Sequence, residues 1–167
     1  ELLDRRLDPL GELGVGPNEP CVMAGFSAAH GAHEEILARV ALRRDTRLVG
    51  LFGFDAYYTS YIKTPKPGHL AWLSWVRDEP LGRVATFTTS SHAGATHPSA
   101  TASFRPLATA LGFAESNQVP PFGHRPERAH ALGPLRWYEY GIAYKHVEHA
   151  TVLAKQFVGA ALNASGP

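Results

Sequence analysis

A serine stands between small residues where an apolar, strand-like segment gives way to a helical pattern. Ser27 directly follows Cys21–Phe26, with Gly25 two positions before it and Ala29 two positions after it. A tight turn from strand to helix needs small residues there, because the two backbones approach closely while the hydroxyl points outward. Small residues also end many strands for packing alone. The amide of Ala28, at the start of the helix, is placed to stabilise a negatively charged oxygen. The pattern predicts Ser27 as a nucleophile and Ala28 as an oxyanion donor.

Nine histidines raise the question of a metal site. Two pairs, His30 with His33 and His146 with His149, have the three-residue spacing that places side chains on one face of a helix. A structural zinc site needs four ligands and a catalytic one needs three, and the sequence identifies no third and fourth ligand for either pair. We therefore expect no metal and no other cofactor.

The segments that must position these residues alternate between strand and helix patterns. Strand-like runs cover residues 21–26, 47–54, 83–88 and 135–140, and helical patterns follow at about 33–44, 70–76, 99–111 and 147–162. This alternation is typical of an α/β domain with a parallel sheet and helices on both faces. We expect one domain over residues 1–167, with a helical lead-in at 1–19, an aromatic insertion or cover at 56–80 and an exposed loop at 123–134.

Three segments in this order resemble the α/β-hydrolase family from its nucleophile strand onward. They are residues 22–31, the second strand ending in Gly53-Phe54-Asp55, and residues 144–151 at the start of the last helix. The resemblance implies the fold of that family, in which four strands precede the nucleophile strand. Only twenty residues stand before Cys21, too few for four strands and their connections, so the N-terminal strands are expected to be missing.

The same resemblance implies a catalytic triad in the chain order nucleophile, acid, histidine. Ser27 is then the nucleophile and His146, between the last strand and the last helix, is the base, with His149 as the second choice. The family's acid most often follows the third of these strands, but residues 89–97 contain no carboxylate. Asp55 fits the members that carry the acid one strand earlier. As alternatives, Asp55 caps a helix or a turn and His146 is a solvated turn residue.

An aromatic segment follows the second strand. Tyr57, Tyr58 and Trp72 are predicted to bind an apolar or sugar-like part of a substrate. The alternative is that these aromatic side chains pack as ordinary core.

Composition excludes several classes of function. The chain of 167 residues is 44% hydrophobic and 19% charged with a net charge of +1, which is typical of one globular domain. No basic run alternates with aromatic residues, so nucleic acid is not an expected partner. No apolar run approaches the roughly twenty residues that cross a bilayer, so the protein is expected to be soluble.

We therefore expect a serine hydrolase that cleaves an ester or amide through an acyl-enzyme. A second polypeptide or a second copy is expected to complete the sheet and to supply the other oxyanion donor. Two other functions stay open. The first is a flavodoxin-like flavin reductase, which residues 57–76 followed by 82–91 loosely resemble. The second is a non-catalytic binding or assembly module with an α/β-hydrolase-like fold.

Overall fold

A mixed six-stranded sheet forms the centre of the protein. The computed structural model describes residues 8–56, 67–91, 98–118, 120, 125–141 and 146–164. The strands are β1 Cys21–Phe26, β2 Leu48–Phe54, β3 Val84–Ser90, β4 Ala114–Glu115, β5 Arg128–Leu132 and β6 Leu135–Tyr140. Their order across the sheet is β1-β2-β3-β6-β5-β4. The first four strands in this order are parallel, whereas β5 runs antiparallel to both β6 and β4.

Helices connect the parallel strands and follow the last one. They are α1 His30–Arg43, α2 Pro67–Asp78, α3 Ala100–Leu111, α4 His146–Glu148 and α5 Ala154–Ala164, with a π-helical turn at His149–Leu153 between the last two. Helix α3 contains Pro106 in its interior and continues through it. Both ends of α3 are capped, because the Ser99 hydroxyl accepts the Ala102 amide and Gly112 ends the helix in a left-handed conformation. No helix in the described ranges combines the length and apolar character needed to cross a membrane.

The two faces of the sheet carry separate apolar clusters. On one face Leu51, Phe87 and Trp137 pack with α1, α2 and α3. On the other face Phe54 and Tyr138 pack with the C-terminal helical segment, and further members of this cluster are Phe52, Ala129, Tyr140, Leu153 and Phe157. Since neighbouring residues of a strand point to opposite faces, both layers follow from the apolar runs in the sequence. The prediction of an α/β domain with helices on both faces is confirmed.

The prediction of a purely parallel sheet is wrong, because part of the expected loop at 123–134 forms strand β5. Leu132 pairs with Leu135, so Gly133 and Pro134 alone make the connection to β6. Gly133 has φ 55°, and the ring of Pro134 fixes a negative φ. This combination suits a two-residue hairpin turn whose backbone twist matches that of the flanking strands. Arg128 and His130 interrupt the apolar pattern of β5, so hydrophobicity alone does not predict this short hairpin.

Candidate active site

Ser27 occupies a strained position where β1 ends. Its φ is 56°, in the left-handed region, and it begins the 3-10 turn Ser27–Ala29 that leads into α1. A residue with a Cβ atom in this region costs about 1–2 kcal/mol relative to ordinary backbone. Such a turn between strand and helix directs the serine side chain away from both elements. The structure therefore places Ser27 in the backbone geometry expected for a nucleophile.

Gly25 allows this turn because no side chain fits at its position. A Cβ atom on Gly25 would lie 2.7 Å from Cβ of Ala29 and 2.3 Å from Cε1 of His33, both shorter than any real carbon contact. Positions 25 and 29 thus face each other across the turn. The steric argument for small residues two before and two after Ser27 is confirmed.

Asp55 lies beside Ser27 at the end of the next strand. Phe26 of β1 pairs with Phe54 of β2, so Ser27 and Asp55 each follow one member of the same pair. Neighbouring strands are about 4.8 Å apart, which brings the two backbones together at the carboxyl edge of the sheet. Asp55 also has a left-handed φ, 47°, and its side chain is completely buried. Two adjacent strands therefore end in strained residues that bear chemically active groups.

The carboxylate of Asp55 is held by hydrogen bonds from two other elements. Its Oδ1 accepts the backbone N–H of Ser90 at 2.7 Å, and its Oδ2 accepts the Ser90 hydroxyl at 2.9 Å. Oδ2 also lies 2.6 Å from Nδ1 of His146, the first residue of α4. A buried charge is tolerable when donors compensate for its lost hydration. Asp55 therefore does more than cap a turn, because its carboxylate binds an imidazole as well as a backbone amide.

His146 is oriented from two sides. Asp55 binds Nδ1, and the ring of Phe26 stacks on the imidazole with 4.2 Å between ring centres and 27° between planes. The side chain is 34% exposed. When Nδ1 donates to a carboxylate, Nε2 carries the lone pair and can accept a proton. The structure thus brings His146 and Asp55 together as the resemblance implied.

His149 does not share this position. It is completely buried, with Nδ1 2.9 Å from Oγ1 of Thr88 and its ring edge-on to Tyr140. Burial lowers the pKa of His149 to about 4, with a smaller contribution from the nearby His146, while Asp55 and Glu148 oppose the shift. The π-helical turn begins at His149 and separates it from α4, which carries His146. The second-choice base is therefore a neutral core residue in this structure.

The buried His149 predicts a loss of stability in acid. The unfolded chain takes up a proton near pH 6.5, whereas the folded protein does so only near pH 4, so stability falls between these values as the pH decreases. The full loss is on the order of 3 kcal/mol. Urea unfolding at a series of pH values measures it. His149→Asn keeps a polar partner for Thr88 without the titration, so its stability should change less over the same interval. Parallel curves for both proteins would contradict this assignment.

The remaining predicted residues have different outcomes. Trp72 is completely buried in the core with α1 and α3, the environment of its core alternative, and its contact with a substrate stays a prediction. Tyr57 and Tyr58 lie outside the described residues. Ala28 belongs to the turn after Ser27, where amides at a helix start have no acceptor within the helix. This location suits an oxyanion donor.

The predicted histidine pairs contact separate partners. His33 packs against Gly25, and its ring centre is 6.3 Å from that of His69, which binds the Glu34 carboxylate at 2.8 Å. Within the described part of the chain, no three His, Cys, Asp or Glu side chains form a group that could hold a metal ion. The side chain of His30 is outside that part.

Ser90 is the site residue that sequence reasoning missed. The predicted third strand ended at residue 88, whereas β3 extends to Ser90. The available signal was the run Thr88-Thr89-Ser90 at the end of an apolar strand, since buried hydroxyl groups need partners. The end of β3 carries no carboxylate, but the hydroxyl of Ser90 binds the carboxylate of Asp55.

Comparison with known proteins found no protein-family model, no curated protein and no solved structure that matches this chain. Function therefore has to be inferred from the chemistry and geometry of the site.

Proposed function

We propose that the protein is a serine hydrolase of the α/β-hydrolase type that cleaves an ester or amide through an acyl-enzyme. The observation that carries this proposal is the 2.6 Å hydrogen bond between Asp55 and His146 at the sheet edge where Ser27 has a φ of 56°. The three residues follow three different parallel strands, β1, β2 and β6, beyond the carboxyl ends where α/β proteins hold their ligands.

In the proposed reaction the Ser27 hydroxyl attacks the carbonyl carbon and passes its proton to Nε2 of His146. Asp55 holds the ring by Nδ1 and stabilises the imidazolium, and the Ala28 amide donates to the oxyanion. The tetrahedral intermediate expels the alcohol or amine, which takes the proton from His146. Water then attacks the acyl-Ser27 ester with His146 again as the base, releasing the acid and restoring the serine.

The order of elements also supports a relative of the α/β-hydrolases. Strands β1, β2, β3 and β6 lie side by side and parallel, with the serine after the first and the histidine after the fourth. The acid after β2 is one strand earlier than in most of that family. Asp55 reaches His146 across the intervening strand because both side chains meet at the end of β3, where Ser90 lies.

Labelling with a fluorophosphonate probe and peptide mapping tests the proposal. We expect one adduct, on Ser27, and none in Ser27→Ala. Ser74→Ala, a change on α2, is the matched control and should label like the unmodified chain. Failure of Ser27 to react would contradict the hydrolase and favour the non-catalytic module. A bound flavin, seen by its visible absorbance, would favour the reductase.

We further propose that a strand of a second polypeptide pairs with the outer edge of β1. In the described residues β1 pairs with β2 alone, and none of its residues is fully buried, whereas β2 is buried almost throughout. The edge contains no charged residue or proline, the usual protection against pairing. In a second copy whose β1 paired antiparallel with this β1, Ser27 would lie at the opposite end of the strand pair. Another polypeptide is therefore the better source of the second oxyanion donor.

Light scattering and a structure of the assembled particle test this pairing. A second polypeptide beside β1 is the expected result. A symmetric dimer through β1 would assign the edge to another copy instead, and a monomer whose own residues cover β1 would contradict the proposal.

A further inference from the structure

Strand β3 ends in three buried hydroxyl groups, each bonded to a different part of the structure. Thr88 meets His149 of the π-helical turn at 2.9 Å. Thr89 accepts hydrogen bonds of 2.9 Å from the Trp137 indole of β6 and from the Thr101 hydroxyl of α3. Ser90 reaches Asp55 beyond β2. The central strand thus holds the surrounding elements in place at the edge that carries the candidate site.

Ser90 differs from the two threonines because both of its donors bind the same carboxylate. Its N–H donates to Oδ1 of Asp55 at 2.7 Å, and its hydroxyl donates to Oδ2 at 2.9 Å. Oδ2 is also the oxygen that binds Nδ1 of His146 at 2.6 Å. Ser90 and Asp55 are both completely buried, so water does not compete for these bonds.

We propose that Ser90 is a positioning residue that orients the acid of the site. The terminal torsion of an aspartate is broad, so a carboxylate held at one oxygen can rotate out of the plane of its partner. Two donors from one rigid strand end restrain both oxygens and direct Oδ2 at the imidazole. The inference depends on the proposed function for its catalytic meaning. Ser90 acts through Asp55 and His146 and does not touch the substrate.

Removal of the hydroxyl should weaken catalysis while substrate binding persists. Ser90→Ala keeps the backbone bond to Oδ1 but loses the bond to Oδ2. We expect kcat to fall about 10- to 100-fold with KM within about twofold, because small errors in positioning act on the chemical step. Ser90→Thr keeps the hydroxyl and should recover most of kcat. Ser90→Cys, a nearly isosteric change with a weak donor, should resemble Ser90→Ala and serves if that variant fails to fold.

Thr101→Val is the matched control. It removes one buried hydroxyl at the same end of the sheet, bonded to Thr89 rather than to Asp55. We expect a comparable loss of stability with kcat unchanged. Equal losses of kcat in Thr101→Val and Ser90→Ala would show a general structural effect and overturn the inference.

Proton NMR gives a readout that does not require turnover. A proton shared between His146 Nδ1 and Asp55 should give a strongly deshielded resonance, which disappears in His146→Ala. We expect it to shift or broaden in Ser90→Ala and to stay in place in Thr101→Val. An unchanged resonance and unchanged kcat in Ser90→Ala would overturn the role of Ser90 while the hydrolase stands. Absence of labelling at Ser27 would overturn the hydrolase, and the resonance would still show whether Ser90 orients Asp55.

Discussion

Replacement of Ser27 by alanine is expected to lower kcat for a short-chain ester by roughly four to six orders of magnitude, as loss of a catalytic nucleophile does. The side chain is small and only partly buried, so the thermal midpoint should stay within a few degrees. Release of p-nitrophenol from its acetate ester and differential scanning calorimetry measure the two quantities. Unchanged turnover in Ser27→Ala would contradict the assignment of Ser27 as the nucleophile.

Ser27→Gly separates catalytic from structural roles more sharply. Glycine adopts the φ of 56° without steric cost, so this variant should be inactive and yet about 1 kcal/mol more stable than the unmodified protein. Greater stability with lost activity is the expected sign of strain maintained for function. A large loss of stability would instead show that the serine hydroxyl supports the fold.

Replacement of His146 by alanine is expected to be about as damaging as Ser27→Ala. The two residues transfer one proton as a unit, so the double variant Ser27→Ala/His146→Ala should be no slower than either single variant. Turnover of the same ester at pH 8 provides the comparison. Additive losses in the double variant would contradict a shared proton transfer.

His149→Asn is the control for His146→Ala. His149 binds Thr88 in the core and stays neutral at pH 8, so the variant should keep most of the turnover once folded. A larger loss of turnover in His149→Asn than in His146→Ala would assign the base to His149. The 2.6 Å bond between His146 and Asp55 would then serve only to stabilise the fold.

The sequence by itself determined the four parallel strands and the turn at Ser27. Strands β1 and β6 lie at the predicted residues, and β2 begins one residue later than predicted. Apolar runs encode such strands because side chains must be buried on both faces of the sheet. The turn at Ser27 was also predictable, since Gly25 and Ala29 satisfy a local steric requirement within five residues.

The partners of Asp55 were decided by the tertiary structure. Ser90 is 35 residues away and His146 is 91 residues away, and no local pattern encodes which side chains meet over such separations. The order of strands across the sheet brings all three to one edge. The same order encloses Trp72 in the core and turns His149 towards Thr88, although their residue types suit a binding site equally well. Residue type and spacing therefore identify candidates for chemistry, and the packing of strands and helices selects among them because each side chain can occupy only one environment.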